Sequence, residues 1–248
     1  MDYSQFLMMP QELGLLLVFL LVFLFDTFLP KKAQSSLSIF TCVVFALFTV
    51  ANVVMSGTGT SFAGMYEQTA ATYAMKLILN AGMLIVLIQA TKWANSEFVA
   101  VRRGEFYELL LATLLGMYIM ISARHFLLFV IGLETASLPL AALVAFDKKH
   151  YESHEAAAKY MFTAVFSSAI FMLGLSFVYA LAGSLYFNDI AVNIMGGQSA
   201  LLVVALVFVI AGVGFKLSLV PFHLWTADVY QGAPTAVTSY LSVISKGR

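Results

Sequence analysis

The sequence predicts an all-α, polytopic membrane protein. Of its 248 residues, 61% are hydrophobic and only 10% are charged, whereas a soluble domain carries roughly 25% charged residues. The mean hydropathy is +0.92. The apolar residues form continuous runs of about 20, the length that a helix needs to cross a hydrocarbon core about 30 Å thick. Because so apolar a chain has too little polar surface to face water on all sides, lipid is its expected solvent.

Eight apolar runs are predicted to be transmembrane helices, called spans 1 to 8 below. They cover residues 12–29, 37–55, 72–91, 106–123, 126–146, 156–182, 199–222 and an incomplete run from 234. A β-barrel is excluded, because its strands would alternate in and out over about 10 residues. The first run has neither a basic flank nor a cleavage motif, so it is predicted to be a retained helix and not a signal peptide.

Basic residues concentrate in the loops after the odd-numbered spans, and this bias predicts the orientation. Cytoplasmic loops carry an excess of Lys and Arg. The loops after even-numbered spans hold only Arg124, in the turn before span 5. We therefore expect a multi-pass protein of the bacterial inner membrane with its N-terminus outside. The basic residues of the odd-numbered loops are Lys31, Lys32, Lys92, Arg102, Arg103, Lys148 and Lys149.

The charge balance and the cysteine count exclude several other functions. The 13 basic and 13 acidic residues cancel, so no net field indicates nucleic acid or an acidic partner. Cys42 is the only cysteine, which excludes a disulfide framework and a thiolate metal site. No cluster of His, Cys, Asp or Glu has metal-ligand spacing, and no glycine-rich phosphate loop is present.

Four ionisable residues fall inside apolar runs, where a charge costs about 2.5–3.5 kcal/mol on insertion scales. They are Glu134, Lys159, Lys216 and Lys246. The alternatives are static pairs that join helices, or residues that take up and release protons, a task for which lysine is suited. Lys159 lies near the cytoplasmic end of span 6, where it could instead extend to the interface. Lys76, near the outer end of span 3, is expected to extend to the interface in that way.

Span 7 is predicted to be broken. Pro221 cannot donate to the carbonyl of Leu217 and its ring crowds that turn, and the break follows five residues after Lys216. Discontinuous helices beside ionisable residues are typical of ion-translocating folds, although an ordinary proline kink is the alternative. His223 follows the break and titrates near neutral pH. It could relay protons between Lys216 and the cytoplasm, or only bond the broken backbone.

Two stretches resemble a known family. FKLSLVPFHLWTADVYQGAPTAVTSYLSVISK, at spans 7 and 8, and AAAKYMFTAVFSSAIFMLGLSFVYALAGS, in span 6, closely resemble subunit N of the antiporter-like, proton-pumping subunits of respiratory complex I, NADH:quinone oxidoreductase. GLE in span 5 resembles the family's glutamate. The sister subunits and Mrp-type cation/proton antiporters share the PFH break but differ after it. The resemblance extends over residues 124–248 and is one of topology alone over 1–123.

The resemblance implies a fold and a set of site residues. The family contains two inverted five-helix repeats. Spans 4–8 (residues 106–248) would be the first repeat, and residues 1–105 a three-helix N-terminal segment. Glu134, Lys216, Lys246 and Lys159 match the family's proton-translocating residues. Because span 8 would end inside the bilayer, we expect the native chain to continue past Arg248 with the second repeat.

The resemblance also implies a role within an enzyme. The expected function is proton pumping driven by redox energy released elsewhere in the complex, with other membrane subunits, antiporter-like and small, as partners. No cofactor is expected in this chain. NADH, FMN, iron–sulfur clusters and quinone are expected in other subunits. The alternative is a subunit of an Mrp-type Na⁺/H⁺ antiporter, and a third reading is a structural scaffold in which the buried charges are static pairs.

Overall fold

A computed structural model describes residues 3–28, 36–54, 57–96, 99–194 and 200–245. Its ten α-helices are α1 Pro10–Phe28, α2 Ser36–Val54, α3 Ala70–Ala94, α4 Arg103–Ile121, α5 Phe126–Val144, α6 Tyr151–Ala182, α7 Phe187–Ile194, α8 Ala200–Leu217, α9 Leu224–Gly232 and α10 Thr235–Val243. Short 3₁₀ turns cover Tyr3–Met8 and Ala100–Arg102, and two strands, β1 Gly59–Ser61 and β2 Tyr66–Gln68, form an antiparallel hairpin.

Seven helices in the described part of the chain are long and apolar enough to cross a membrane: α1, α2, α3, α4 with its preceding 3₁₀ turn, α5, α6 and α8. They correspond to spans 1 to 7, which confirms the predicted all-α membrane fold. Large apolar side chains on their outer faces are exposed, such as Leu47 at 65% and Phe162 at 79%. Such surfaces match the hydrocarbon of a bilayer and not water.

The centre of the bundle is α4, which packs against α1, α3 and α5. Close approach of α4 and α5 depends on Gly116 and Gly132, which face each other. A Cβ at Gly132 would lie 2.7 Å from the Met120 backbone nitrogen. Small residues at such crossings let membrane helices pack backbone to backbone. The core residues of α4 are fully buried: Phe106, Tyr107, Leu110, Leu111, Leu114 and Met117.

A second close pair, α6 and α8, positions the broken helix. A Cβ at Gly212 would lie 2.6 Å from the Phe171 Cβ, and one at Gly174 would lie 2.7 Å from the Val209 nitrogen. Ser167 of α6 also donates to the Gly212 carbonyl at 3.0 Å. These contacts hold α8 at backbone distance from α6 and so fix where its last turn ends.

The loops after α2, α4 and α6 meet on one face of the bundle. The β1–β2 hairpin follows α2. Tyr66 of β2 pairs with Ala123 of the α4–α5 turn, and His125 of that turn pairs with Tyr186 after α6. Ser38 and Asn95, at the other ends of α2 and α3, are hydrogen-bonded to each other on the opposite face. The alternating arrangement agrees with the predicted succession of spans.

Two segments between predicted spans contain regular structure. The segment between spans 2 and 3 holds the hairpin, whose turn includes Phe62, Ala63 and Gly64, all with positive φ. The predicted loop 183–198 contains α7, and Ser184 Oγ donates to Asp189 at 2.6 Å at its start. Both segments are rich in glycine and serine, and neither a strand nor a helix was predicted in them, because the local turn chemistry that these residues support was missed.

Candidate functional site

Lys216 lies in the last turn of α8, where the negative end of the helix dipole favours a cation. It is 8% exposed, and its Nζ donates to Ser137 Oγ of α5 at 3.1 Å. The Ser137 hydroxyl donates in turn to the Leu133 carbonyl at 2.6 Å. The lysine is therefore buried inside the bundle, as its flanking residues predicted.

The end of α8 is closed by a Schellman motif. Leu219 N–H donates to the Gly214 carbonyl at 2.9 Å, and Ser218 N–H donates to the Phe215 carbonyl at 3.2 Å. Ser218 has φ 58°, the left-handed conformation that this motif needs. Trp225 of α9 adds a bond from Nε1 to the Phe215 carbonyl at 3.1 Å. The predicted break is present, and the carbonyls that it releases are satisfied by protein groups.

Glu134 of α5 is half-buried, and α6 supplies its partner. Ser168, itself buried, donates from Oγ to Glu134 Oε1 at 2.5 Å. The Ala164 carbonyl lies 3.0 Å from the same Oγ. A hydroxyl has one proton to donate and can also accept. Ser168 can therefore donate to an ionised Glu134, or accept from a protonated one while donating to Ala164.

Glu134 and Lys216 each contact a serine of another helix. Glu134 and Ser137 are three residues apart on α5, so they share a helix face with Cβ atoms about 5–6 Å apart. Within the described residues, Ser168 is the group that contacts the Glu134 carboxylate, and Ser137 contacts Lys216. The sequence indicated the two charged residues, but neither serine.

Two cavities meet at Lys216. One, of about 50 Å³, faces α4 and α5, and the other, of about 10 Å³, faces α9. A buried water needs roughly 10–15 Å³, so the first has room for water and the second lies at the limit. The first is lined by Met120, Phe129, Leu133, Ser167, Phe171, Gly212, Val213, Lys216 and Leu217. The second is lined by Tyr160, Thr163, Ala164, Ser167, Phe215, Lys216 and Trp225.

Lys159 of α6 is separate from this centre. Its Nζ forms ion pairs with Glu155 at 2.8 Å and with Asp228 of α9 at 2.6 Å, and all three side chains are about half exposed. At about 1.5 Å per residue, 32-residue α6 rises about 48 Å, which exceeds a hydrocarbon core of about 30 Å. The first turns of α6 therefore extend towards the headgroups. Asp228 was not identified as a site residue from the sequence, in which it is the only acidic residue after Pro221.

An open cleft connects the Lys159 region with the Lys216 region. It has a volume of about 560 Å³ and includes Lys159, Thr163, Trp225 and Asp228 in its lining. Thr163 and Trp225 also line the small cavity at Lys216. Thr163 and Trp225 thus lie where the cleft of Lys159 borders the small cavity of Lys216.

The two remaining predicted residues are not part of the described centre. His223 is exposed. Its backbone carbonyl accepts from Thr226 N–H at 3.0 Å, and its side chain does not cap α9. Its role as a proton relay or as a backbone partner stays a prediction. Lys246 lies outside the described residues, so its place in the site also stays a prediction.

The expectation for Lys76 is wrong. Its side chain does not extend to the interface but is fully buried against Glu12 of α1, with Nζ 2.5 Å from Oε1. The partner is 64 residues away in the sequence, so no local pattern indicated it. The signal that could have been used is an opposite charge at the outer end of each of two apolar spans.

In the described ranges, no group of three or more His, Cys, Asp or Glu residues could hold a metal ion.

Comparison with known proteins identifies the family of this chain. Residues 123–247 match the family model described as NADH:quinone oxidoreductase/Mrp antiporter, TM. The chain is 50% identical over 249 residues to NADH-quinone oxidoreductase subunit N of Azobacteroides pseudotrichonymphae, covering 100% of this chain and 52% of that protein. It is 51% identical over 247 residues to the protein of the same name from Phocaeicola vulgatus, again covering 100% of this chain and 52% of the relative.

Solved structures show the same likeness. A chain of respiratory complex I from Thermus thermophilus with bound aureothin superposes with a TM-score of 0.76 at 30% identity, covering 96% of this chain and 51% of that chain. A chain of the membrane-bound sulfane sulfur reductase, an archaeal respiratory membrane complex, superposes with a TM-score of 0.73 at 20% identity, a likeness that shows the fold alone. The chain spans about half the length of the curated relatives it matches.

Proposed function

Because the chain belongs to the NADH:quinone oxidoreductase/Mrp antiporter membrane family, we propose that it is a proton-translocating membrane subunit of NADH:quinone oxidoreductase, respiratory complex I. The names of its relatives and the likeness to a complex I chain support this. The observation that carries the proposal is Lys216, a buried lysine at a helix break that lies between two cavities.

In this proposal, Lys216 takes up and releases the proton, and Glu134 controls it. An ionised carboxylate close to a lysine favours the charged ammonium form of that lysine. Neutralising or displacing Glu134 would remove that stabilisation from the ammonium form of Lys216. Ser137 and Ser168 can each serve as donor or acceptor, so both charged groups keep a hydrogen-bond partner when their protonation changes.

The cleft at Lys159 is the proposed entry route. It is wide, includes the charged Glu155, Lys159 and Asp228 in its lining, and shares Thr163 and Trp225 with the small cavity at Lys216. Lys159, Glu155 and Asp228 would hold water and protons near the headgroups. A single water across the Thr163–Trp225 region would complete the route to Lys216. Lys246 and His223 are proposed as further members on the resemblance and on sequence position alone.

Orientation and organisation are part of the proposal. The seven-to-one bias of basic residues supports an N-terminus outside a bacterial inner membrane. The hairpin, the α4–α5 turn and the loop after α6 would then face the outside. Residues 1–105 are proposed to form a three-helix segment, and residues 106–248 the first of two inverted repeats. The family match covers residues 123–247, which lie within the second of these two regions.

The proposed partners are other membrane subunits of the complex, including antiporter-like and small ones. NADH, FMN, iron–sulfur clusters and quinone are proposed to bind in other subunits, and the redox energy released there would change the charge state around Glu134. An Mrp-type Na⁺/H⁺ antiporter subunit is the second candidate, because the family description names both. The names of the two relatives reported above favour the first.

The test is Lys216→Ala in the full complex, measured as NADH-driven proton uptake into inside-out vesicles. We expect uptake per NADH oxidised to fall at least fivefold. Assembly should survive, since Ser137 keeps its bond to the Leu133 carbonyl and the half-buried Glu134 keeps Ser168 as its donor. Lys92→Ala, at an exposed lysine of α3, is the control. Full pumping by an assembled Lys216→Ala complex would contradict the proposal, and Na⁺-dependent uptake without NADH would favour the antiporter.

A further inference from the structure

Glu12 of α1 and Lys76 of α3 form a buried ion pair that the proposed proton route does not use. Lys76 is 0% exposed and Glu12 is 5% exposed, and Nζ lies 2.5 Å from Oε1. The pair lies beside the β1–β2 hairpin, on the face opposite the cleft of Lys159. Two charges are taken out of water only at a large desolvation cost, so the contacts that surround them need an explanation.

The pair is fully coordinated in its charged form. An ammonium has three protons to donate and no lone pair. Lys76 donates to Glu12 Oε1, to Gln68 Oε1 at 3.2 Å and to the Tyr66 oxygen at 3.3 Å. The second oxygen of Glu12 accepts from Tyr66 at 2.9 Å. Burial, and then the charge of Glu12, raise the pKa of the Tyr66 hydroxyl, which keeps it a neutral donor.

This coordination differs from that of Lys216. Lys216 and Glu134 each contact a serine, whose hydroxyl can donate or accept. Loss of a proton from Lys76 would strand one of three acceptors and leave Glu12 as a buried lone carboxylate. The geometry therefore describes a fixed ion pair and not a proton carrier.

Two of the three side chains that accept from Lys76 belong to β2, so the ion pair contacts the hairpin directly. Tyr66 and Gln68 are two residues apart on a strand, so their side chains point to the same side. The residue between them, Glu67, forms an ion pair with Arg124 of the α4–α5 turn at 2.5 Å. Glu67 N–H also donates to the Ser122 carbonyl at 2.9 Å. One side of β2 is thus bonded to α1 and α3, and the other side to the turn.

We propose that the Glu12–Lys76 ion pair is a latch that holds the β1–β2 hairpin in place and, through the hairpin, joins the three-helix segment to the α4–α5 turn. The ammonium bonds both side chains on one side of β2, while Glu67 and the strand backbone bond the turn. Without the pair, Tyr66 and Gln68 lose their charged partners, and the hairpin is loosened on α1 and α3, where the hydrogen bond from Gln68 Nε2 to Gln11 Oε1 at 3.1 Å remains. The link of the turn to these helices through β2 is then weakened.

The test uses cysteine reporters in the assembled complex, with Cys42→Ser as background because Cys42 is the only cysteine of these 248 residues, and labelling is read on this subunit after separation on a gel. Ser61→Cys reports on the hairpin and Ser122→Cys on the turn; both residues are at most 5% exposed. The measurement is the rate of maleimide labelling in vesicles of both orientations, without NADH. We expect Lys76→Met to speed labelling at least tenfold at position 61 and at least threefold at position 122. Lys92→Met on the same helix should change neither.

A double variant distinguishes an ion pair that holds the hairpin from one whose two charges only neutralise each other. Glu12→Leu/Lys76→Met removes both charges, so it assembles even where a single variant fails through its stranded charge. The latch requires fast labelling at position 61 in this double variant, since neither side chain can hold Tyr66 or Gln68. Labelling as slow as in the parent would overturn the proposal, as would unchanged labelling in an assembled Lys76→Met complex. Neither result depends on proton pumping, so the proposed function is tested separately by Lys216→Ala.

Discussion

Lys216 donates to Ser137 at 3.1 Å, and Ser137 lies one helical turn beyond Glu134 on α5. The buried lysine therefore meets the helix of its acidic partner through a neutral hydroxyl. The hydroxyl carries no charge, so this contact adds no ion-pair attraction to the ammonium form of Lys216. In the proposed function, Lys216 keeps this neutral partner whether or not it carries the proton.

The first prediction is that Ser137→Ala impairs pumping without loss of the complex. The variant removes the oxygen that Lys216 Nζ contacts, and a hydrogen bond to a charged group contributes about 1.5–3 kcal/mol. We expect proton uptake per NADH oxidised to fall about tenfold. Ser176→Ala is the matched control, because Ser176 is exposed on α6 and donates to its own helix at Leu173. Equal uptake by the two variants would show that the serine contact is not needed.

The sequence predicted the spans because each is a continuous apolar run, and it predicted the break because Pro221 cannot complete a helix. It misplaced the end of the helix. The run was expected to reach residue 222, whereas α8 ends at Leu217. The left-handed Ser218 closes the helix there, and serine is not the glycine usually found at such a position.

The charged residues were harder to interpret than the spans. Glu134 and Lys216 could be found because a charge inside an apolar run is rare. Their serine partners could not, because serine is common in membrane helices. Lys76 was misjudged since its depth was estimated on an isolated helix, whereas the fold brings Glu12 to it. Whether Lys76 is buried depends on Glu12, which is 64 positions away in the sequence, so the tertiary structure is needed to tell.

The second prediction concerns the α4–α5 crossing. Gly132→Ala would place a Cβ 2.7 Å from the Met120 backbone nitrogen, and overpacking of a tight contact costs about 1–3 kcal/mol. We expect a lower melting temperature of the complex and less assembled protein on native gels. Gly57→Ala is the control, because nothing lies within 4 Å of a Cβ there. Melting of Gly132→Ala at the temperature of the control would disprove the need for glycine.

The third prediction is that the two acids at Lys159 substitute for each other. Glu155 and Asp228 both lie within 2.8 Å of its Nζ, and half-exposed pairs contribute only about 0–1 kcal/mol each. Glu155→Gln or Asp228→Asn alone should lower proton uptake less than twofold. The double variant should lower it more than the product of the two, because groups that share a partner are not additive. Multiplicative losses would mean that the acids act independently.

The last prediction addresses what keeps protons from passing Lys216 freely. On the side away from the cleft, the cavity of about 50 Å³ is lined almost entirely by apolar side chains, among them Leu133, Phe129 and Phe171. Water enters a cavity of that size only when polar partners are available. Leu133→Ser supplies a hydroxyl and removes a buried side chain, so it should admit water beside Lys216. We expect the passive decay of a pH gradient in vesicles, without NADH, to become severalfold faster.

Leu138→Ser, at a position of the same helix that is 54% exposed, should leave the decay unchanged, since it touches neither cavity. If both variants hold the gradient equally well, the apolar lining is not the barrier.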